Sequence, residues 1–198
     1  MEEVIPGVFH WRARHPKIGI EVDSHYVAGS GTAIDPLLPA EGIGWFEGRG
    51  VERVVLSNRH HLRQAPELLE RFGCPVLCHE AGLHEFAGGP EVRGFAFGER
   101  LCDDVVALEM GTICPEDTVL LIESDGGALL FADSVVHHGG EVGFVSDGLI
   151  GDDPEAVKRE TRARCAALLD RQFEALLFAH GEPLRDGARA ALREFAAG

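Results

Sequence analysis

Apolar and polar positions alternate along this chain in short blocks divided by turn residues. Residues 4–11 and 25–34 read as strands, the second closing on Asp35-Pro36. Residues 41–48 fit a short helix, and the apolar run 51–57 fits a buried strand. Helical spacing covers 65–72, followed by a short strand over 74–78 and a short helix over 81–86. From residue 93 to 131 the pattern becomes strand-rich, most clearly over 105–108, 118–122 and 128–131. Asp125-Gly126-Gly127 suits a hairpin turn between the last two, because such turns need positive φ. Beyond a glycine-rich span, 138–151, the spacing predicts an amphipathic helix over 154–170 with Asp153 as its N-cap. A last strand (175–179) and a last helix (187–195) follow.

This order of strands, strand–helix units and a strand-rich middle predicts one α/β domain over residues 1–198, its sheets covered by helices. With 45% hydrophobic residues among 198, the chain can bury a substantial core. No apolar run approaches the roughly 20 residues that span a bilayer. The start, MEEVIPGVFHW, shows no hydrophobic signal region. Five cysteines, odd in number and irregularly spaced, point to free thiols in a reducing cytoplasm rather than to a disulfide framework. A net charge of -15 repels nucleic acid and anionic membranes, which leaves a small-molecule substrate as the expected partner.

Candidate chemistry gathers at four predicted strand ends, where α/β proteins tend to place it. They are the turn Ser57-Asn58-Arg59-His60-His61-Leu62-Arg63, the segment Ile113-Cys114-Pro115-Glu116-Asp117, Asp133 and His180. A carboxylate or imidazole that ends an apolar strand must find a partner, since burying it unpaired costs several kcal/mol. Taken singly, each is satisfied by backbone amides or a helix N-terminus.

Taken together, their order and spacing resemble the metallo-β-lactamase superfamily over nearly the whole chain. DSHYVAGSGTAIDPLLP is similar to that family's opening hairpin, VVLSNRHHLRQAPELLE to the strand, His-x-His-x-Asp-His loop and helix that follow. GGALLFADSVV is similar to the strand ending in a metal-bridging Asp, and FEALLFAHGEP to the closing strand with the last His ligand. The resemblance implies a four-layer αββα sandwich with the site at one edge, between the two sheets. It also implies His60, Asp133 and His180 as metal ligands, with Cys114 in place of the family's middle His. Asn58, Leu62 and Arg63 stand where the family has His, Asp and His. Leu62 can neither bind metal nor orient an attacking water. Arg63 brings a fixed positive charge to the place of a second cation, or pairs with Asp133 instead. His61 is the residue that can turn inward in place of the missing ligands.

Two functions are therefore expected. One is a metal-dependent hydrolase with at most one divalent ion, zinc or iron, held by His60, Cys114, Asp133 and His180, with His61 or Arg63 nearest the substrate. The other is a metal-free member acting as a ligand-binding or interaction protein, in which Arg63 neutralises Asp133. His79, His84 and His25 read as capping, surface or packed residues. His137 and His138 are candidates for the cleft wall. No phosphate loop and no Gly-x-Ser-x-Gly elbow is present.

Overall fold

The computed structural model describes residues 1–198. Seven strands form one sheet in chain order: β1 (Glu2–Ile5), β2 (Val8–Arg14), β3 (Glu21–Val27), β4 (Thr32–Ile34), β5 (Arg53–Leu56), β6 (Val76–His79) and β7 (Val92–Phe95). The first four are antiparallel, whereas β4 to β7 run parallel. Each predicted N-terminal strand is in fact a hairpin. The 4–11 run is divided by Gly7 and the 25–34 run by the turn ending at Gly31, both with positive φ.

The second sheet contains β8 (Arg100–Cys102), β9 (Val105–Glu109), β10 (Thr118–Ile122) and β11 (Ala128–Phe131). A separate hairpin of β12 (Val136–His138) and β13 (Glu141–Gly143) precedes its edge strand, β14 (Ala175–Phe178). β14 joins β11 in parallel, and the sheet order is β14-β11-β10-β9-β8. The helices are α1 (Gly44–Glu47), α2 (Ala65–Phe72), α3 (Pro154–Leu168) and α4 (Ala188–Ala197). The Asp153 side chain caps α3, accepting from Ala156 N at 3.0 Å.

Three apolar cores identify the layers. Leu108, Leu121, Phe131 and Phe178 pack against Cys165 and Leu168 of α3 and Leu192 of α4. Val8, Val27, Ile34 and Val55 of the first sheet meet Ala107, Leu120, Leu130 and Leu177 of the second. Trp11, Tyr26, Val54 and Leu56 pack outward against Phe46 of α1 and Leu68 of α2. Strand residues thus alternate between an inter-sheet core and a helix-facing core, giving an αββα sandwich. All five cysteines are free. No helix is long and apolar enough to cross a membrane.

One buried polar residue departs from this pattern. His25 on β3 is fully buried, and neither ring nitrogen has a hydrogen-bond partner. Its ring lies 5.2 Å from that of His10. Burial, then His10, brings its pKa down to about 3; Asp23 and Asp35 oppose the drop, and Arg63 adds to it. Below pH 6.5 the unfolded chain therefore takes up a proton that the folded chain refuses, and stability falls with pH down to about 3. This one residue costs about 2 kcal/mol at pH 5 relative to pH 7. We expect His25→Leu to lose that much less than the parent protein between pH 7 and pH 5, measured by urea denaturation. Equal losses would mean that His25 is solvated or protonated in the folded state.

Candidate metal centre

Strand register places the two residues at the heart of the site. β11 and β14 pair in parallel with Phe131 opposite Phe178, so Asp133 and His180 leave the sheet side by side, two residues beyond each strand. His180 Nε2 lies 3.0 Å from Asp133 Oδ1. β10 runs antiparallel to β11, and the same register continued puts Asp117 against Asp133. Asp133 N donates to Asp117 Oδ1 at 3.1 Å, and the Ser134 hydroxyl donates to Asp117 Oδ2. Burial, then the Asp133 carboxylate, raises the Asp117 pKa to about 6.

The third member comes from the other sheet. After β5 the chain turns at Ser57 and Asn58 into a short 3-10 helix, Arg59–Leu62, whose N-cap is the Asn58 side chain accepting from His60 N at 3.0 Å. That turn buries His61 and leaves His60 exposed. His61 Nε2 lies 3.2 Å from Asp133 Oδ1, the oxygen that His180 also meets. On its other side, His61 Nδ1 lies 3.1 Å from Asp35 Oδ2. Asp35 follows β4 in a left-handed conformation (φ 48°), which short polar side chains tolerate. Its carboxylate accepts from Ser57 N at 2.8 Å and from the Ser57 hydroxyl. The end of β4 thereby fixes the exit of β5.

Electrostatics couples these groups. Burial alone would lower the His61 pKa, but Asp133 and Asp35 outweigh it and bring the value to about 9. Asp133 titrates well below the usual carboxylate range: burial pushes it up, and the His61 and His180 contacts pull it down further. The donor atoms of His61, Asp133 and His180 all lie within 4.8 Å of one another.

His60 and Cys114 stand outside that group of three but line the same cleft as Asp133 and His180. Cys114 is half-buried, with Sγ accepting from Asn58 Nδ2 at 3.2 Å. Burial, then Asp117, raises its thiol to about 12, so the thiol is neutral when no ion lies against it. Arg63, also left-handed (φ 43°), does not pair with Asp133. It donates to the carbonyls of Asp23 (2.5 Å), Asp35 (2.7 Å) and Ala179 (3.4 Å). Leu62 packs into the core beneath α2. His79 stacks on Phe97, with ring centroids 3.8 Å apart. His60, Cys114, Asp133 and His180 all line one cleft of about 570 Å³, together with Asn58 and His138. Asp35 and Asp117 carry much of the geometry and were absent from the expected ligand set. Counting register outward from β10 and β11 would have found Asp117.

With this geometry the comparison to known structures is direct. Along 99% of its length the chain superposes on 95% of the DIM-1 metallo-β-lactamase, with a TM-score of 0.73 and 14% identity. A metallo-β-lactamase from Pontibacter korlensis matches with a TM-score of 0.68 and 16% identity, over 100% of this chain and 98% of that one. A β-lactamase domain protein from Burkholderia ambifaria is 20% identical, with a TM-score of 0.67 over 99% of this chain and 75% of that one. Neither a protein-family model nor a curated protein sequence matches the chain. The architecture is therefore the four-layer metallo-β-lactamase fold.

The loop after β14 depends on Gly181. A Cβ there would lie 2.1 Å from His137 O, at a φ of 135° that side-chain-bearing residues rarely adopt. Gly181→Ala must push β12 away from His180, and is expected to cost about 3 kcal/mol or more by thermal unfolding. A variant as stable as the parent would show that this approach is not needed.

Proposed function

We propose that this protein is a metal-dependent hydrolase acting on a small molecule in the cytoplasm, with one divalent ion, zinc or iron, at His61, Asp133 and His180. The observation that carries this reading is the placement of His61. Its Nδ1 faces Asp35, so a neutral ring carries its proton there and keeps the Nε2 lone pair turned toward Asp133 and His180. Two imidazole nitrogens and a carboxylate oxygen are a common donor set for zinc with one position left open. Tetrahedral donors about 2.0–2.2 Å from zinc stand roughly 3.3 Å apart. The observed contacts of 3.0 and 3.2 Å fit this spacing.

An ion held there would supply Lewis acidity and lower the pKa of a water. The side chains supply the rest. Asp35 orients His61, and Asp117 and Ser134 hold the backbone at Asp133. The cleft beside them admits a substrate between the loops of the two sheets. Arg63 argues against a second ion: its guanidinium brings a fixed charge and occupies three carbonyls between Asp23, Asp35 and Ala179. Leu62 offers no carboxylate to orient an attacking water, so general β-lactam or lactone hydrolysis is expected to be weak.

One observation favours a second reading, a metal-free ligand-binding protein. With a pKa of about 9 and both ring nitrogens against carboxylates, a His61 imidazolium can neutralise Asp35 and Asp133 without an ion.

Elemental analysis of protein purified without added metal separates the two. We expect one zinc or iron per chain, lost in His61→Ala, Asp133→Ala and His180→Ala. His60→Ala, Cys114→Ser and His79→Ala should keep it. Loss in His60→Ala or Cys114→Ser would restore the ligand set expected from sequence. Full metal content in Asp133→Ala would refute the site, and two ions about 3.5–4 Å apart would refute single occupancy. A protein devoid of metal whose melting temperature ignores added zinc would support the metal-free reading.

A further inference from the structure

Behind the 3-10 turn lies a second pocket, of about 280 Å³. Arg59 and His60 line both it and the main cleft, so the two spaces adjoin across this turn. Its other polar walls are His15, Lys17, Arg63 and Gln64, with Glu85 as the one carboxylate. That balance runs against the chain as a whole, which carries 33 acidic residues and 18 Lys and Arg. Arg59 is already paired with the buried Glu116. Lys17 has no such partner, and Arg63 spends its N–H groups on backbone carbonyls. Lys17 is therefore the cation free to bond a ligand, and Arg63 adds only its charge.

His15 reports the sign of the local field. Burial lowers its pKa, and the charged groups acting on it, Arg63, Lys17 and His61, all push it the same way. Its Nδ1 accepts from Lys17 N at 3.3 Å, so the neutral ring carries its proton on Nε2, as a donor. A positive, partly enclosed space with ammonium and imidazole donors suits an oxyanion.

We propose that this pocket binds the oxyanion group, carboxylate or phosphate, of a substrate whose reacting bond lies at Asp133 and His180. The link to a reacting bond rests on the metal-dependent reading above; the anion site itself does not. The substrate class is then an acyl or phosphoryl compound carrying a second, anionic group that reaches past Arg59 and His60.

The test is an NMR titration of His15 with inorganic phosphate and, separately, acetate, at constant ionic strength in chloride. It is run on the protein as purified and again after dialysis against chelator. Each anion should raise the His15 pKa saturably, before and after chelation, and the tighter of the two identifies the preferred group. Lys17→Gln, an exposed change, should leave the melting temperature unaltered and weaken the tighter anion about tenfold or more, as loss of a charged hydrogen bond does. No saturable shift, a shift abolished by chelation, or an unweakened Lys17→Gln would overturn the proposal. Because the readout needs no ion, failure of the metal reading leaves this result separately measurable.

Discussion

The site depends on how the two sheets are joined at one edge. Sheets packed face to face share apolar side chains and make no backbone ladder between them. Here, however, Thr118 N donates to Ser57 O at 3.0 Å, and Asp23 N to Ala179 O at 3.0 Å. Asp23 adds a third tie, accepting from Gly181 N at 2.7 Å while held by His10 and Arg12. Everything polar in the centre hangs from these crossings. They bring the exit of β5, which carries His61, to the exits of β11 and β14, which carry Asp133 and His180. Buried backbone groups seldom go unpaired, so the strand ends are pinned by the same bonds that satisfy them.

Charge accounting explains the composition of the edge. Asp23, Asp35, Asp117 and the partly covered Asp133 converge there, and their mutual repulsion in a poorly solvated space would be prohibitive unless offset. Arg12, His10, Arg63 and His61 provide the offset. Arg63 acts through the carbonyls of Asp23 and Asp35 and not through their carboxylates, so it draws three chain segments together while its charge serves several acids at once. A metal ion placed at that edge beside Arg63 would have to displace that arrangement. The left-handed backbone at Arg63, uncommon for a long side chain, is held in place by those carbonyl contacts.

Sequence periodicity located most elements, though not β8 or the β12–β13 hairpin, because most are driven by local apolar patterning: the helix 65–72 and the strands 118–122 and 128–131 agree with the structure residue for residue. It merged β1 with β2 and β3 with β4, since apolar residues on both sides of each turn hid breaks that only the glycine conformations reveal. Asp133 and His180 could be picked out as polar residues ending apolar runs. The choice between His60 and His61 could not be made that way. Adjacent residues on a tight turn point in different directions, and the direction is set by the Asn58 cap and the reach of Asp35, both contacts across the chain. Cys114 entered the expected ligand set by alignment with a His, and its thiol accepts from Asn58 Nδ2.

Asn58 and Cys114 are in direct contact. Where the sequence resemblance leads one to expect imidazoles, they meet each other, amide to sulfur, at 3.2 Å. A primary amide fixed by its own cap and a thiol kept neutral by burial form an uncharged contact that does not require an ion. That contact forms part of the cleft wall, while His61, Asp133 and His180 bring three donor atoms together beside it. A fold shared with β-lactamases therefore says little about the reaction. What discriminates is which groups line the cleft, and in this chain Arg59 and His60 border both the cleft that holds Asp133 and His180 and the pocket lined by His15 and Lys17.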